Sequence, residues 1–169
     1  MFNDRREDSM FKAVSLVVIA SLFAAACGSG NDDKQLSKRE YIARSNAICK
    51  RTGNEAGVQF KRIVGSDRPK RGEEQRYLSN AQRFLRQAAI PIISENLADR
   101  RALGAPEGDE EEVDAIIAAG ERAITGFERI AADRSRVEAL FRGRIPDPAK
   151  EFDALSRRYG IAHCGGDES

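Results

Sequence analysis

The sequence predicts an all-α protein: an antiparallel bundle of about four helices that follows a cleaved N-terminal signal peptide and is closed by one disulfide. Three observations support this fold class. Aromatic residues make up only 7% of the 169 residues and Trp is absent, whereas Ala, Arg, Glu, Ile and Leu are abundant, which favours helices over strands. Apolar residues recur at spacings of three, four and seven along four segments. Capping residues, glycines and prolines mark the ends of these segments.

The first 26 residues are typical of an export signal. Lys12 precedes an apolar run over residues 13–26, which is shorter than the roughly 20 apolar residues of a membrane-spanning helix. Ala24 and the two alanines after it directly precede Cys27 and resemble a bacterial lipobox, so we expect cleavage before Cys27 and acylation of its thiol. The open alternative is an A-x-A site at Ala24 and Ala26 for ordinary signal peptidase, which would give a freely secreted protein. A start at Met10 instead of Met1 leaves this expectation unchanged.

The domain organisation follows from this signal. We predict a signal peptide at 1–26, a lipidated cysteine and flexible tether at 27–35, a helical domain at 36–164 and a disordered tail at 165–169. Without residues 1–26 the chain keeps 25 basic and 24 acidic residues. This near-neutral balance suggests neither nucleic acid nor an anionic membrane surface as a partner. About 140 residues are enough for one domain with its own core.

The first helix is predicted from Ser37 to Ile63, with Cys49 on its apolar stripe. Ser37 and Glu40 have the spacing of a capping box. Gly53 and Gly57 either weaken the helix by about 1 kcal/mol each or permit a close helix contact. In and around the following loop, 64–73, lie five basic residues, which we interpret as a solvated loop rather than a binding patch: Arg62, Arg68, Lys70, Arg71 and Arg76.

The second helix is predicted over residues 73–103 and contains Pro91. Because proline lacks an N–H and clashes with the preceding turn, we expect a kink or restart near Ala89. The kink either bends the helix around the core or opens a ligand pocket. The glycines and proline of residues 103–109 then break the chain.

The third helix is predicted from Asp109 to Ala132, with Asp109 and Glu112 capping its start. Its first-turn carboxylates are interpreted as complementing the helix dipole rather than as a cation site. Residues 133–144 either continue this helix or form a short separate one. The last helix is predicted from Pro148 to Tyr159, with Asp147 as N-cap and Pro148 at the first helical position, and it stops at Gly160.

The three cysteines are expected to have two roles. An odd number leaves a reactive thiol in an exported protein unless one is used otherwise. If Cys27 is the acyl anchor, Cys49 and Cys164 remain, and an oxidising compartment favours a disulfide between them. It would close a loop of 115 residues, for which the chain-entropy model gives at most about 4 to 5 kcal/mol. A metal or redox site of Cys49, His163 and Cys164 would have at most three ligands and lacks zinc-motif spacing. We therefore predict no metal, no cofactor and no catalytic or ligand role for His163.

Three segments of the chain are similar to landmarks of a known group of proteins. Residues 38–49 belong to the opening helix and end in a cysteine. Residues 103–109 form a proline-containing turn, and in residues 159–164 a Tyr-Gly pair comes shortly before a cysteine. This pattern resembles small helical envelope lipoproteins of high-GC Gram-positive bacteria, a group of unknown function. The resemblance implies a lipidated, disulfide-closed helical domain and adds no site residues beyond the cysteines.

The motifs of common enzymes are absent from the sequence. It has one histidine and no G-x-S-x-G, P-loop, G-x-G-x-x-G, H-E-x-x-H or C-x-x-C-H pattern. We therefore predict a non-enzymatic, membrane-anchored domain on the extracytoplasmic face of the cell membrane. Its partners would be membrane lipid through Cys27 and an envelope protein, a cell-wall component or a small ligand, but no nucleic acid. The alternative is an envelope hydrolase that uses paired carboxylates, which leave little local signature.

Overall fold

Helices account for all the regular secondary structure that the computed structural model describes, which covers residues 35–65 and 69–162. The elements are α1 (Lys38–Ile63), α2 (Glu74–Phe84), a π-helical turn (Leu85–Ala89), α3 (Ile90–Leu103), α4 (Glu110–Ala132), α5 (Arg134–Phe141) and α6 (Lys150–Tyr159). The all-α prediction is confirmed. The predicted signal peptide, Cys27, most of the tether, His163, Cys164 and the tail lie outside the described residues. Within them, none of the helices is both long and apolar enough to cross a membrane.

The capping box at the start of α1 is confirmed. The Ser37 hydroxyl accepts a hydrogen bond from the Glu40 N–H, and the Glu40 carboxylate accepts one from the Ser37 N–H at 3.0 Å. These two bonds satisfy donors that would otherwise be unpaired at a helix start. Gly53 and Gly57, further along α1, have no atom of another element within 4 Å of where a Cβ would lie. Of the two roles predicted for them, weakening the helix therefore applies, and close contact does not.

The predicted disturbance near Ala89 is a π turn. The Ile90 N–H donates to the Leu85 carbonyl, five residues earlier instead of four. Pro91 has no N–H, and in a regular α-helix its ring would press on the carbonyl of Gln87, so the wider turn relieves that contact. α2, the π turn and α3 are continuous in sequence and form one rod of helix, from Glu74 to Leu103.

Five helical bodies therefore build the bundle where about four were predicted, because residues 133–144 contain a separate short helix. The Asp133 side chain accepts the N–H of Ser135 at 2.8 Å and so caps α5. α1 and α3 run antiparallel, as the Arg51–Asp99 ion pair and the bond from Asn96 Nδ2 to Thr52 Oγ1 at 2.9 Å indicate. α4 packs against α3, with Leu97 beside Gly120.

Two of the predicted caps are wrong in detail. Asp109 precedes α4, but its carboxylate makes no capping bond and instead contacts Lys38 and Tyr159. α6 begins at Lys150, two residues later than predicted, because Asp147 accepts the Ala149 N–H and turns the chain before the helix starts. The stop at Gly160 is confirmed, and its φ of 103° is a left-handed conformation that glycine adopts without strain.

The core has two clusters, one at each end of the rod. The near end is where α1 and α4 begin and α3 and α6 finish, and its cluster includes Tyr41, Leu97, Ile116 and Ile161. The far end is defined here as residues 59–65, 69–86 and 128–147, where α2 begins and α5 lies, and its cluster includes Leu78, Phe127 and Val137. At 1.5 Å per residue, residues 78 to 103 of the rod separate the two ends by roughly 40 Å.

Candidate functional site

Of the predicted site residues, only Cys49 lies in the described part of the chain. It faces α3 and is 2% exposed. Its sulfur accepts a hydrogen bond from Nη2 of Arg100 at 2.6 Å. Burial on the core face of α1 agrees with the stripe seen in the sequence. The predicted pairing with Cys164 stays a prediction, since Cys164 is not among the described residues.

Arg100 is a buried cation that the sequence analysis missed. Its side chain is fully buried, and its guanidinium carbon lies 5.2 Å from the centre of the Phe152 ring. Burial lowers the pKa of Arg100 to about 10, although the nearby Tyr41 and Asp153 oppose the shift. The group therefore remains charged at neutral pH. Arg100 lines none of the cavities considered below.

At the near end, a cluster of polar side chains ties three helix ends together. The Tyr159 hydroxyl donates to Asp109 Oδ2 at 2.8 Å, and Lys38 Nζ lies 3.1 Å from Asp109 Oδ1. These two contacts lower the pKa of the Asp109 carboxyl, while burial and the bond to Asp109 raise the pKa of Tyr159. A small cavity of about 100 Å³ lies beside them, with one carboxylate, Glu112, in its lining. We interpret the cluster as structural, because its contacts join the ends of α1, α4 and α6.

Two carboxylates, Asp147 and Asp153, lie close to each other around the start of α6, and the hydrolase alternative would need such a pair at a cavity. Asp153 has the raised pKa expected of a catalytic acid, about 6, because it is half-buried and near the Asp147 carboxylate. Neither of these side chains lines any of three surface cavities, each of which contains at most one carboxylate. Residues 35–65 and 69–162 also hold no group of three or more potential metal ligands.

The far end has an apolar groove between α2 and α5, which we call the α2/α5 groove. It encloses about 430 Å³ and is lined by Pro69, Glu74, Tyr77, Leu78, Phe141 and Arg142. The rings of Tyr77 and Phe141 meet edge to face, with their centres 5.8 Å apart. Phe141 is 40% exposed, and the only other large apolar side chain exposed in the described part is Val58. Exposed aromatic side chains at a groove are typical of binding surfaces.

The far end also carries a surplus of positive charge. Its described residues include twelve Lys or Arg and six Asp or Glu, a net charge of +6, whereas the rest of the described chain has eleven and thirteen, a net charge of −2. The fold brings together Arg-rich segments that are some 60 residues apart in the sequence. This grouping is invisible in the net charge of the whole chain.

Most acidic side chains of the far end are already engaged. Glu138 accepts ion pairs from both Arg142, at 3.1 Å, and Arg144, at 3.0 Å. Four others bond to an arginine or to backbone N–H groups, namely Glu73, Glu74, Asp133 and Asp147. Among the described contacts, neither an ion pair nor a side-chain hydrogen bond is seen for five basic residues of this end: Lys61, Arg62, Lys70, Arg71 and Arg129.

A second cavity of the far end lies beside the π turn. It encloses about 450 Å³ between α1 and the rod, and its lining includes Arg62, Arg83 and Gln87 but no carboxylate. Gln87 belongs to the π turn, whereas Pro91 does not line the cavity. Both predicted alternatives for the kink, a bend around the core and a ligand pocket, therefore stay predictions.

Comparison with known proteins gives no relative for this chain. No family model matches it, and neither a curated protein nor a solved structure is significantly similar to it.

Proposed function

We propose that this protein is a membrane-anchored, non-catalytic interaction domain of a bacterial envelope and that the α2/α5 groove is its binding surface. The observation that carries the proposal is the Tyr77–Phe141 ring pair at the groove, in which Phe141 is 40% exposed, because aromatic side chains gathered at a partly open groove are typical of binding surfaces.

Anchoring is proposed through an acyl group on Cys27, with residues 28–35 as the tether. The tether joins the domain at the near end, just before Ser37. The groove lies roughly 40 Å away along the rod, at the end opposite to the attachment point. Such a placement keeps the groove free of the attachment point and accessible to another envelope molecule.

We also propose that a disulfide between Cys49 and Cys164, called the staple below, links the first helix to the segment after α6. Cys49 is buried on the core face of α1, and the last described residues after α6 return to α1, where the Ala162 N–H donates to Asn46 Oδ1 at 3.0 Å. Asn46 is one helical turn before Cys49. Cys164 follows two residues after Ala162, and two residues span at most about 7 Å, so the position of Ala162 beside Asn46 is compatible with the proposed bond.

The groove is tested by photo-crosslinking in living cells. A photoreactive phenylalanine analogue replaces Phe141 in one strain and Val58 in another, because Val58 is the other large exposed apolar residue and lies outside the groove. We expect a discrete crosslinked product from position 141 that Tyr77→Ala weakens and that position 58 does not yield. Equal products from both positions, or none from position 141, would refute the groove as an interaction surface.

The anchor is tested by cell fractionation of Cys27→Ala. We expect this variant to leave the membrane fraction and to lack the mass of an acyl group, while keeping its helical circular dichroism. If the wild-type protein is instead released into the medium without an acyl group, after cleavage behind Ala26, the freely secreted alternative is established.

A further inference from the structure

We infer that the partner of the α2/α5 groove is an acidic protein segment that carries a large apolar side chain. The inference rests on the proposed function and adds the chemistry of the partner. It combines two observations at the same end of the bundle: an apolar groove large enough for a partner's side chains, and a surplus of positive charge around that groove.

The apolar part of the segment is assigned from the lining of the groove. Leu78 is buried in the far-end core cluster and forms the floor, while Tyr77 and Phe141 provide aromatic walls. A volume of about 430 Å³ is in the range of small-ligand pockets and accommodates large apolar side chains. Aromatic or aliphatic anchors in such pockets supply much of the binding energy at protein interfaces.

The acidic part of the segment is assigned from the charges that surround the groove. Two guanidinium groups, Arg142 and Arg144, share the single carboxylate of Glu138, so one positive charge is left over at the rim. Glu74, the carboxylate in the lining, accepts the Gly72 N–H at 2.8 Å and is held by the loop. Lys70 and Arg71 follow in the sequence directly after Pro69, which lines the groove. Carboxylates on a ligand would pair with these groups and be steered towards them.

Other occupants fit less well. A purely anionic polymer such as polyphosphate would use the positive charges but leave the aromatic walls uncovered. A second copy could offer its acidic α4 start, where Glu110, Glu111 and Glu112 lie, but that segment is at the near end. Copies that are anchored through Cys27 in one membrane would all have the near end at the membrane. The groove of one copy would then not meet the near end of another, and a head-to-tail contact would not form a closed oligomer.

The test uses the full acylated protein in detergent and a labelled ten-residue peptide with eight Asp or Glu residues around a central Phe-Leu pair. Four probes are compared with it: the peptide with Ser-Ser at its centre, the peptide with Lys in place of its acids, a polyphosphate chain and an oligothymidylate chain, the last two of matched charge. We expect fluorescence anisotropy to give at least tenfold tighter binding for the first peptide than for any other probe. Raising the salt from 0.05 to 0.5 M should weaken this binding at least tenfold.

Three variants locate the binding. Phe141→Ser and Arg142→Glu should each weaken it at least tenfold, and Arg71→Glu should do so without altering the Glu138 pairs of α5. Arg44→Glu makes the same change of charge at an exposed position of α1 near the other end and should leave binding within twofold. Circular dichroism and thermal unfolding verify that each variant is folded.

The outcomes separate the two proposals. Equal binding of polyphosphate or oligothymidylate, or equal effects of Arg44→Glu and Arg71→Glu, would overturn the acidic-peptide assignment. If no peptide binds but position 141 still crosslinks to a discrete partner in cells, only the partner chemistry is wrong. If the crosslink is absent as well, the interaction function itself fails.

Discussion

Gly126→Ala tests how closely the segment before α6 is packed against α4. Gly126 lies within α4, and a Cβ placed there would be 2.7 Å from Cβ and 3.1 Å from Cγ of Pro148. Ordinary contacts between carbon atoms lie at 3.5 to 4.0 Å. The proline ring has no side-chain rotamers through which to withdraw, so the segment that leads into α6 must shift or α4 must bend. Gly53, on the exposed side of α1, has open space at the same position and serves as the matched control.

The magnitude follows from two opposing effects. Ala is better than Gly in a helix interior by about 1 kcal/mol, and this gain applies at both positions. At Gly126 the added methyl group overpacks a filled contact, which costs about 1 to 3 kcal/mol. We therefore expect Gly53→Ala to raise the free energy of unfolding by up to about 1 kcal/mol and Gly126→Ala to lower it by about 0 to 2 kcal/mol.

The two variants are compared by urea unfolding followed by circular dichroism. The difference between them, about 1 to 3 kcal/mol, isolates the overpacking because the helix propensity cancels. Equal stabilisation by both substitutions would mean that Pro148 is not held against α4, and the packing described here for the start of α6 would be wrong.

Two further variants test the staple and a half-buried carboxyl. Cys164→Ser should lower the free energy of unfolding by about 2 to 4 kcal/mol, because it removes the disulfide. Cys49→Ser also changes the Arg100 contact, and the double variant should be no less stable than Cys49→Ser alone. Additive losses, or two free thiols in the mass of unreduced protein, would exclude the disulfide. Asp153 has its pKa raised from 3.8 to about 6 by burial and the Asp147 carboxylate, so the folded protein binds more protons than the unfolded chain between these values and loses stability as the pH rises through them. Asp153→Asn should thus be more stable than the wild type at pH 7, by about 1 to 2 kcal/mol allowing for solvent screening, and the difference should vanish near pH 4; a difference that persists at pH 4 would contradict this cause.

The helices were largely predictable because their end signals are local. The Ser37–Glu40 box, Gly160 and the disturbance before Pro91 act through residues that are neighbours in the sequence, and the observed helices begin and end within about two residues of the predicted positions. The largest shift is at α6. There Asp147 has two possible uses, as an N-cap or in a turn before the helix, and only the path of the chain from α5 decides between them.

The candidate site was not predictable because it depends on which helices meet. Tyr77 lies in the segment predicted as the second helix and Phe141 in the segment 133–144, whose structure the sequence leaves undecided, and nothing in their spacing indicates that the two rings touch. Arg100 lies three residues after the buried Leu97 and on the same helix face, a faint signal of burial. Because arginine is seldom fully buried, this signal is too weak to predict burial from the sequence.

The near-neutral charge of the chain suggests neither nucleic acid nor an anionic membrane as a partner, but this sum does not describe how the charge is distributed in the folded protein. At physiological salt, the field of an exposed charge decays over about 8 Å. The acidic side chains of the near end, such as Glu110, Glu111 and Glu112, lie roughly 40 Å from the groove, about five times that distance. These acids therefore cannot cancel the +6 of the far end as a ligand would experience it. Under the proposal of an acidic partner, an approaching segment would respond to the local surplus around Arg71 and Arg142, so the arrangement of charge along the bundle, and not its sum, would determine its attraction to the groove.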